Sequence, residues 1–201
     1  MRTPSSRLLL AVAALITGAT LVAAQPASLP HVLVETELGV IEIELDAARA
    51  PRTAANFLRY VDERFFDGTS FYRTVRPDNQ PDNLIKIEVI QGGADGTRAA
   101  HDPIALERTS ITGLQHLDAT VSMARNGPDT ATSEFFICVG PQPELDFGGR
   151  RNPDGQGFAA FGRVVRGMDV VTRIHQQAAD KQRMAPPVLI RTIRRAPSSQ
   201  P

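Results

Sequence analysis

The 201-residue chain has one cysteine, no tryptophan, two tyrosines and no excess of either charge, with 22 basic and 22 acidic residues. Each scarcity closes off a class of function. A lone Cys138 cannot form an internal disulfide, and its place in an apolar run marks it as a small core residue rather than a reactive thiol. A neutral chain with interspersed charges lacks the basic stripe that nucleic-acid binding requires. The four histidines, His31, His101, His116 and His175, lack metal-ligand spacing and read as surface or structural residues, so no metal site is expected. The glycines of Gly92-Gly93-Ala94-Asp95-Gly96 follow a strand pattern but open no helix and lack dinucleotide-loop spacing, which argues against a phosphate cradle. No cofactor is implied.

Long uncharged apolar runs are confined to the N-terminus. Arg2 and Arg7 precede the run Leu8 to Val22, and Val22-Ala23-Ala24 places small residues before Gln25. This is a secretory signal pattern, and the run is short and diluted for a ~20-residue membrane span. The sequence therefore predicts a signal peptide over residues 1–24, a linker over 25–30, one domain over 31–195 and a tail over 196–201. Cleavage removes two of the 22 basic residues and leaves a slightly acidic mature chain. The expected product is exported, periplasmic or secreted, not stably bound to a membrane, and monomeric, since nothing in the sequence demands an oligomer.

The remaining chain reads as many short strands and two helices. His31–Thr36 and Val40–Leu45 form a hairpin about Leu38-Gly39, the second strand alternating apolar with acidic residues. A helix over Ala48–Arg64 carries Pro51 early and an apolar stripe of Ala54, Phe57, Leu58 and Val61. Strands follow at Thr69–Val75 and Leu84–Gln91, separated by the polar loop Arg76–Asn83. After a long excursion over 97–118 come strands at Thr120–Ala124 and Glu134–Val139, which display the turn Asn126-Gly127-Pro128-Asp129-Thr130 between them. Phe158–Val165 is a strand, Gly167–Ile174 begins a second helix, and Pro187–Arg194 is the last strand. Strands that do not alternate regularly with helices favour a closed antiparallel barrel or a sandwich over a parallel sheet.

An ordered set of motifs narrows this further. Phe71-Tyr72-Arg73, Gln91-Gly92-Gly93, Ser122-Met123-Ala124-Arg125, Gly127-Pro128, Ser133-Glu134-Phe135-Phe136-Ile137, Leu145-Asp146 and Phe161–Asp169 span nearly the whole mature chain. Together they resemble the cyclophilins, the barrel family of peptidyl-prolyl cis–trans isomerases. The resemblance implies a closed eight-stranded antiparallel β-barrel capped by two α-helices, acting without a cofactor on proline-containing polypeptides. It implies that Arg73 is catalytic, that Gln91 bonds substrate backbone, that Phe136 floors the proline pocket and that Val89 and Leu145 wall it. Ala124 and the backbone of Arg125 match the edge along which the substrate lies, while Phe158 and Tyr72 occupy positions often held by histidine in the family. Each residue also has a bland reading: a surface arginine, a turn-entry glutamine, ordinary core.

Three rim positions depart from the family. Glu88 and Glu144 stand where aromatics are usual, and Glu134 where glutamine is usual. The sequence thus predicts an acidic rim, with Glu134 pairing with Arg73 and competing with substrate for it, and a preference for Lys or Arg near the proline. On this reading the function is isomerisation of X–Pro bonds in exported chains. The alternative is a peptide-binding or chaperone module on the same barrel with little catalysis.

Overall fold

The computed structural model describes residues 29–197. The predicted signal peptide, most of the predicted linker and the end of the tail lie outside the described residues.

Eight strands close on themselves. They are β1 (His31–Thr36), β2 (Gly39–Leu45), β3 (Ser70–Val75), β4 (Val89–Gly93), β5 (Thr120–Met123), β6 (Phe135–Cys138), β7 (Ala159–Arg166) and β9 (Arg183–Arg195), with β8 (Ala179–Asp180) a short addition to β9. The order is β1-β2-β7-β5-β6-β4-β3-β9, and β9 pairs back onto β1, every pairing being antiparallel. Closure leaves the barrel without a free edge.

The interior is solid. Phe57, Phe66, Phe71, Phe135 and Phe161 are all 1 % exposed or less and form one cluster with β-branched residues from β1, β2 and β9. Helix α1 (Pro51–Asp62) supplies Phe57, and α3 (Met168–His175) adds Val170, Val171 and Ile174. A single helical turn, α2 (Thr109–Thr112), interrupts the long excursion. The N-terminus of α1 has no capping side chain of its own. Glu107, far along the chain, accepts from the backbone N–H groups of Arg52 and Thr53 and from the Thr53 hydroxyl. A carboxylate suits the orphan donors and positive end of a helix.

Two predicted strands have different limits. The strand expected over Leu84–Gln91 begins at Val89, and Leu84 is 99 % exposed. The buried Gln80 side chain takes the place of a neighbouring strand: its amide bonds the C=O of Ile87 at 2.7 Å and the N–H of Ile87 at 3.3 Å. The last strand starts at Arg183, four residues before Pro187. Its register with β3 shifts between the pairs Arg73–Arg183 and Phe71–Val188, so Pro186 and Pro187 fall where no ladder bond is required.

Because the interior is filled, a binding site must lie on the outside. The outer face of β3, β4 and β6 carries a second, smaller apolar cluster of Val75, Ile87, Val89, Phe136, Cys138 and Leu145.

Candidate active site

Strand register assembles the site. Arg73 on β3 faces Gln91 on β4, Gln91 faces Phe136 on β6, and Phe136 faces Ser122 on β5, a row across four neighbouring strands. Alternation alone would send Arg73 inward, because Phe71 is core. Between Phe71 and Arg73 the register shifts, and the bulge adds Tyr72, so that Tyr72 and Arg73 both line the outer groove. Bulges commonly re-aim a side chain in this way.

The groove has a volume of about 490 Å³. Phe136 forms its floor, only 4 % exposed, with Val89, Leu145, Ile87 and Phe158 around it. Phe158 meets the Phe136 ring edge-on at 5.3 Å, and His116 stacks on the same ring at 5.9 Å. The His116 imidazole is itself pinned: Nδ1 lies 2.7 Å from Asp146 and Nε2 lies 2.9 Å from the Ser122 hydroxyl. This serine–histidine–carboxylate chain has the order of a hydrolase triad, but Ser122 is 0 % exposed and meets no solvent. It locks Phe136 in place, which fits the structural reading of the histidines. Cys138 is fully buried, and burial pushes its thiol up, away from the reactive thiolate.

Arg73 is held by two glutamines. Its Nη1 donates to Gln91 Oε1 at 2.7 Å, while Nε and Nη2 donate to Gln182 Oε1 at 3.0 and 2.6 Å. A guanidinium has five N–H donors, so two remain for a ligand. Gln182 is anchored in turn, since its carbonyl accepts from Thr74 N at 2.9 Å. Nothing in the sequence pointed to Gln182, which sits in the two-residue turn between β8 and β9 and reaches the site by pairing alone.

The expected ion pair between Glu134 and Arg73 does not form. The Glu134 carboxylate accepts from the Tyr72 hydroxyl at 2.8 Å and from the Asp95 N–H at 3.0 Å. Room for it comes from Gly93, where φ is +140° and any Cβ would strike the carboxylate. The result is a one-way relay. Ionised Glu134 can only accept, so Tyr72 must donate to it. Tyr72 then accepts from Gln91 Nε2 at 2.6 Å, which leaves Gln91 Oε1 to accept from Arg73. Burial pushes the Glu134 carboxyl above its ordinary value, partly offset by the bond from Tyr72, and burial beside that carboxylate raises the Tyr72 phenol. Glu134 thus orients Gln91 instead of competing for the arginine. Glu134→Gln is therefore expected to lower kcat/KM on a proline peptide about fivefold, the effect of losing ~1 kcal/mol of hydrogen bonding. The wild-type profile should fall as pH drops through the raised Glu134 value, and this acid limb should vanish in Glu134→Gln. A gain in activity would restore the competition model.

The other two glutamates do not build an acidic rim. Glu144 turns to Arg150, 2.7 Å away, and neither Glu144 nor Glu88 lines the groove. Ala124 lines the groove, with its N–H spent on the Glu134 carbonyl at 2.8 Å. The Arg125 side chain folds back, 1 % exposed, in a two-bond pair with Asp154 at 2.7 and 2.9 Å and with its guanidinium 5.0 Å from the Phe158 ring centre. That pair holds the Asp154 carboxyl down at about 2. The Arg125 backbone N–H and C=O make no hydrogen bond among the described residues, leaving an extended edge for an incoming peptide.

The described residues contain no group of His, Cys, Asp and Glu side chains able to hold a metal. What the site can do is seat a small apolar ring, grip the flanking backbone and present fixed donors beside it.

The chain matches the family model described as cyclophilin type peptidyl-prolyl cis-trans isomerase over residues 31–195. It is 38 % identical over 173 residues to peptidyl-prolyl cis-trans isomerase A of Dickeya dadantii, covering 82 % of this chain and 83 % of that protein. It is 37 % identical over 164 residues to a peptidyl-prolyl cis-trans isomerase of Acinetobacter baylyi, covering 80 % of each. Among solved structures, a cyclophilin type isomerase of Cryptosporidium parvum, crystallised in the presence of the dipeptide Ala-Pro, shares the fold. Its TM-score is 0.68 at 19 % identity, over 84 % of this chain and 99 % of that one. Barrel, groove and sequence agree, and the chain belongs to the cyclophilin-type peptidyl-prolyl cis-trans isomerase family.

Proposed function

We propose that the protein accelerates cis–trans isomerisation of X–Pro bonds in exported polypeptides and so assists their folding. The observation that carries the reading is the row Arg73–Gln91–Phe136, which puts fixed donors directly beside an apolar ring pocket. Amide resonance sets a barrier of ~18–20 kcal/mol, and X–Pro bonds left to themselves exchange over roughly tens to hundreds of seconds. The proline ring would rest on Phe136, and the residues before it would lie along the Arg125 edge. As the amide twists, the prolyl nitrogen regains a lone pair, and a spare Arg73 N–H is placed to donate to it. The second Nε2 hydrogen of Gln91 can bond a substrate carbonyl. Both donors are fixed before reaction, so they stabilise the twisted state at little reorganisation cost. No bond is made or broken and no cofactor enters.

Export rests on the N-terminal pattern of Arg2, Arg7, Leu8–Val22 and Val22-Ala23-Ala24. The alternative, a peptide-binding module with weak catalysis, drew its support from three glutamates crowding Arg73, and the positions of Glu88, Glu134 and Glu144 remove that support. Two measurements test the proposal. Exchange NMR on a proline tetrapeptide should show catalysed cis–trans exchange, and a rate equal to the uncatalysed one would reject the isomerase reading. Fractionation of the host should recover a chain beginning at Gln25 outside the cytoplasm, and an intact cytoplasmic chain would reject export.

A further inference from the structure

The sequence suggested an acidic groove, but its walls are basic. Arg73, Arg125 and Arg151 line it, with Glu134 as the one glutamate. Arg125 is neutralised by Asp154, and Glu134 is tied to Tyr72. Two cations are left over, Arg73 among its glutamines and Arg151.

Arg151 lies on the loop Gly148–Gly157, which is built to carry it there. Its N–H bonds the Glu144 carbonyl at 3.1 Å, and its Nη1 donates to the Ile85 carbonyl at 2.6 Å, bridging to the loop that precedes β4. Gly149 admits no side chain, since a Cβ would lie 2.9 Å from the Asp146 carbonyl oxygen. The adjacent Arg150 points away and takes up Glu144. Arg151 has no carboxylate within ion-pair distance among the described residues, and four of its five donors are unspent. We propose that Arg151 forms a carboxylate subsite beside the proline pocket, so that the protein prefers substrates with Asp or Glu adjacent to proline. Burial, and then the charge of Arg73, both disfavour the charged form of Arg151. An arriving carboxylate would offset both, and a Lys or Arg there would add a third cation.

This deepens the isomerase reading and rests on it. The test uses N-acetylated, C-amidated peptides with Glu, Gln or Lys in turn before and after the proline, assayed for kcat/KM by exchange NMR and for Kd by fluorescence titration. At one of the two positions Glu should exceed Lys by about fivefold in low salt, and the gap should shrink as salt rises. The ratio should fall towards one in Arg151→Gln and reverse in Arg151→Glu. Equal values for Glu and Lys at both positions, a preference for Lys, or a Glu preference that survives in Arg151→Gln would each overturn the subsite. Absence of turnover with every peptide would defeat the isomerase reading instead, and the Kd ratio would still decide the subsite.

Discussion

Arg73→Ala is expected to lower kcat/KM on a proline tetrapeptide by about 10²–10³-fold, the usual cost of removing one donor aimed at a transition state. The loss should fall mainly in kcat, because the bond to the prolyl nitrogen exists only once resonance is broken. The fold should survive, since Arg73 lies on the outer face and is bonded to the side chains of Gln91 and Gln182 rather than to the core. Near-wild-type activity in a folded Arg73→Ala protein would remove the arginine from the mechanism. Gln182→Ala makes a graded comparison. It leaves the guanidinium present but releases two of its three anchors, so its loss should be smaller than that of Arg73→Ala. Equal losses would mean that the alanine variants damage something other than the donor.

The second large effect separates two neighbours. Phe135 and Phe136 are adjacent on β6, yet Phe135 packs with Phe57, Phe66 and Phe71 in the interior, whereas Phe136 floors the groove between His116 and Phe158. Phe135→Ala should destabilise the protein by about 3–5 kcal/mol, through lost burial and a cavity that a closed barrel cannot collapse. Phe136→Ala should cost less stability, because its site opens to solvent, and should instead raise KM by removing the surface that holds the proline ring. Denaturant titration and steady-state kinetics on both variants read the two effects. Similar stability losses, with KM unchanged in Phe136→Ala, would remove Phe136 as the pocket floor.

Much of this was legible in the chain itself. The β-rich run His31–Thr36, the alternation of apolar and acidic residues over Val40–Leu45, and the 3/4 stripe of Ala54, Phe57, Leu58 and Val61 fixed the first hairpin and α1 through local geometry. The motif set pointed to Arg73, Gln91, Val89, Phe136 and Leu145, and the structure brings these five residues to one groove. What it could not yield depended on register and loop packing. Alternation said nothing about the bulge at Tyr72, which turns Arg73 outward, because a bulge is settled by the pairing of β3 with its neighbours. Gln182 and Arg151 reach the site from distant turns, at no sequence spacing that marks them.

The three glutamates show the division most plainly. Their charge was visible in the sequence, and it suggested an acidic rim around Arg73. Partner choice was not visible, because it depends on which donor lies within about 3 Å once strands and loops are packed. Tyr72 claims Glu134, Arg150 claims Glu144, and Glu88 stays outside the groove. From the sequence, local patterning gave a strand-rich domain, and the ordered motifs gave the resemblance to a closed barrel and singled out Arg73, which the structure places in the groove. Only the tertiary structure decided the sign of the groove, because a charge counts there only when the fold leaves it unpaired.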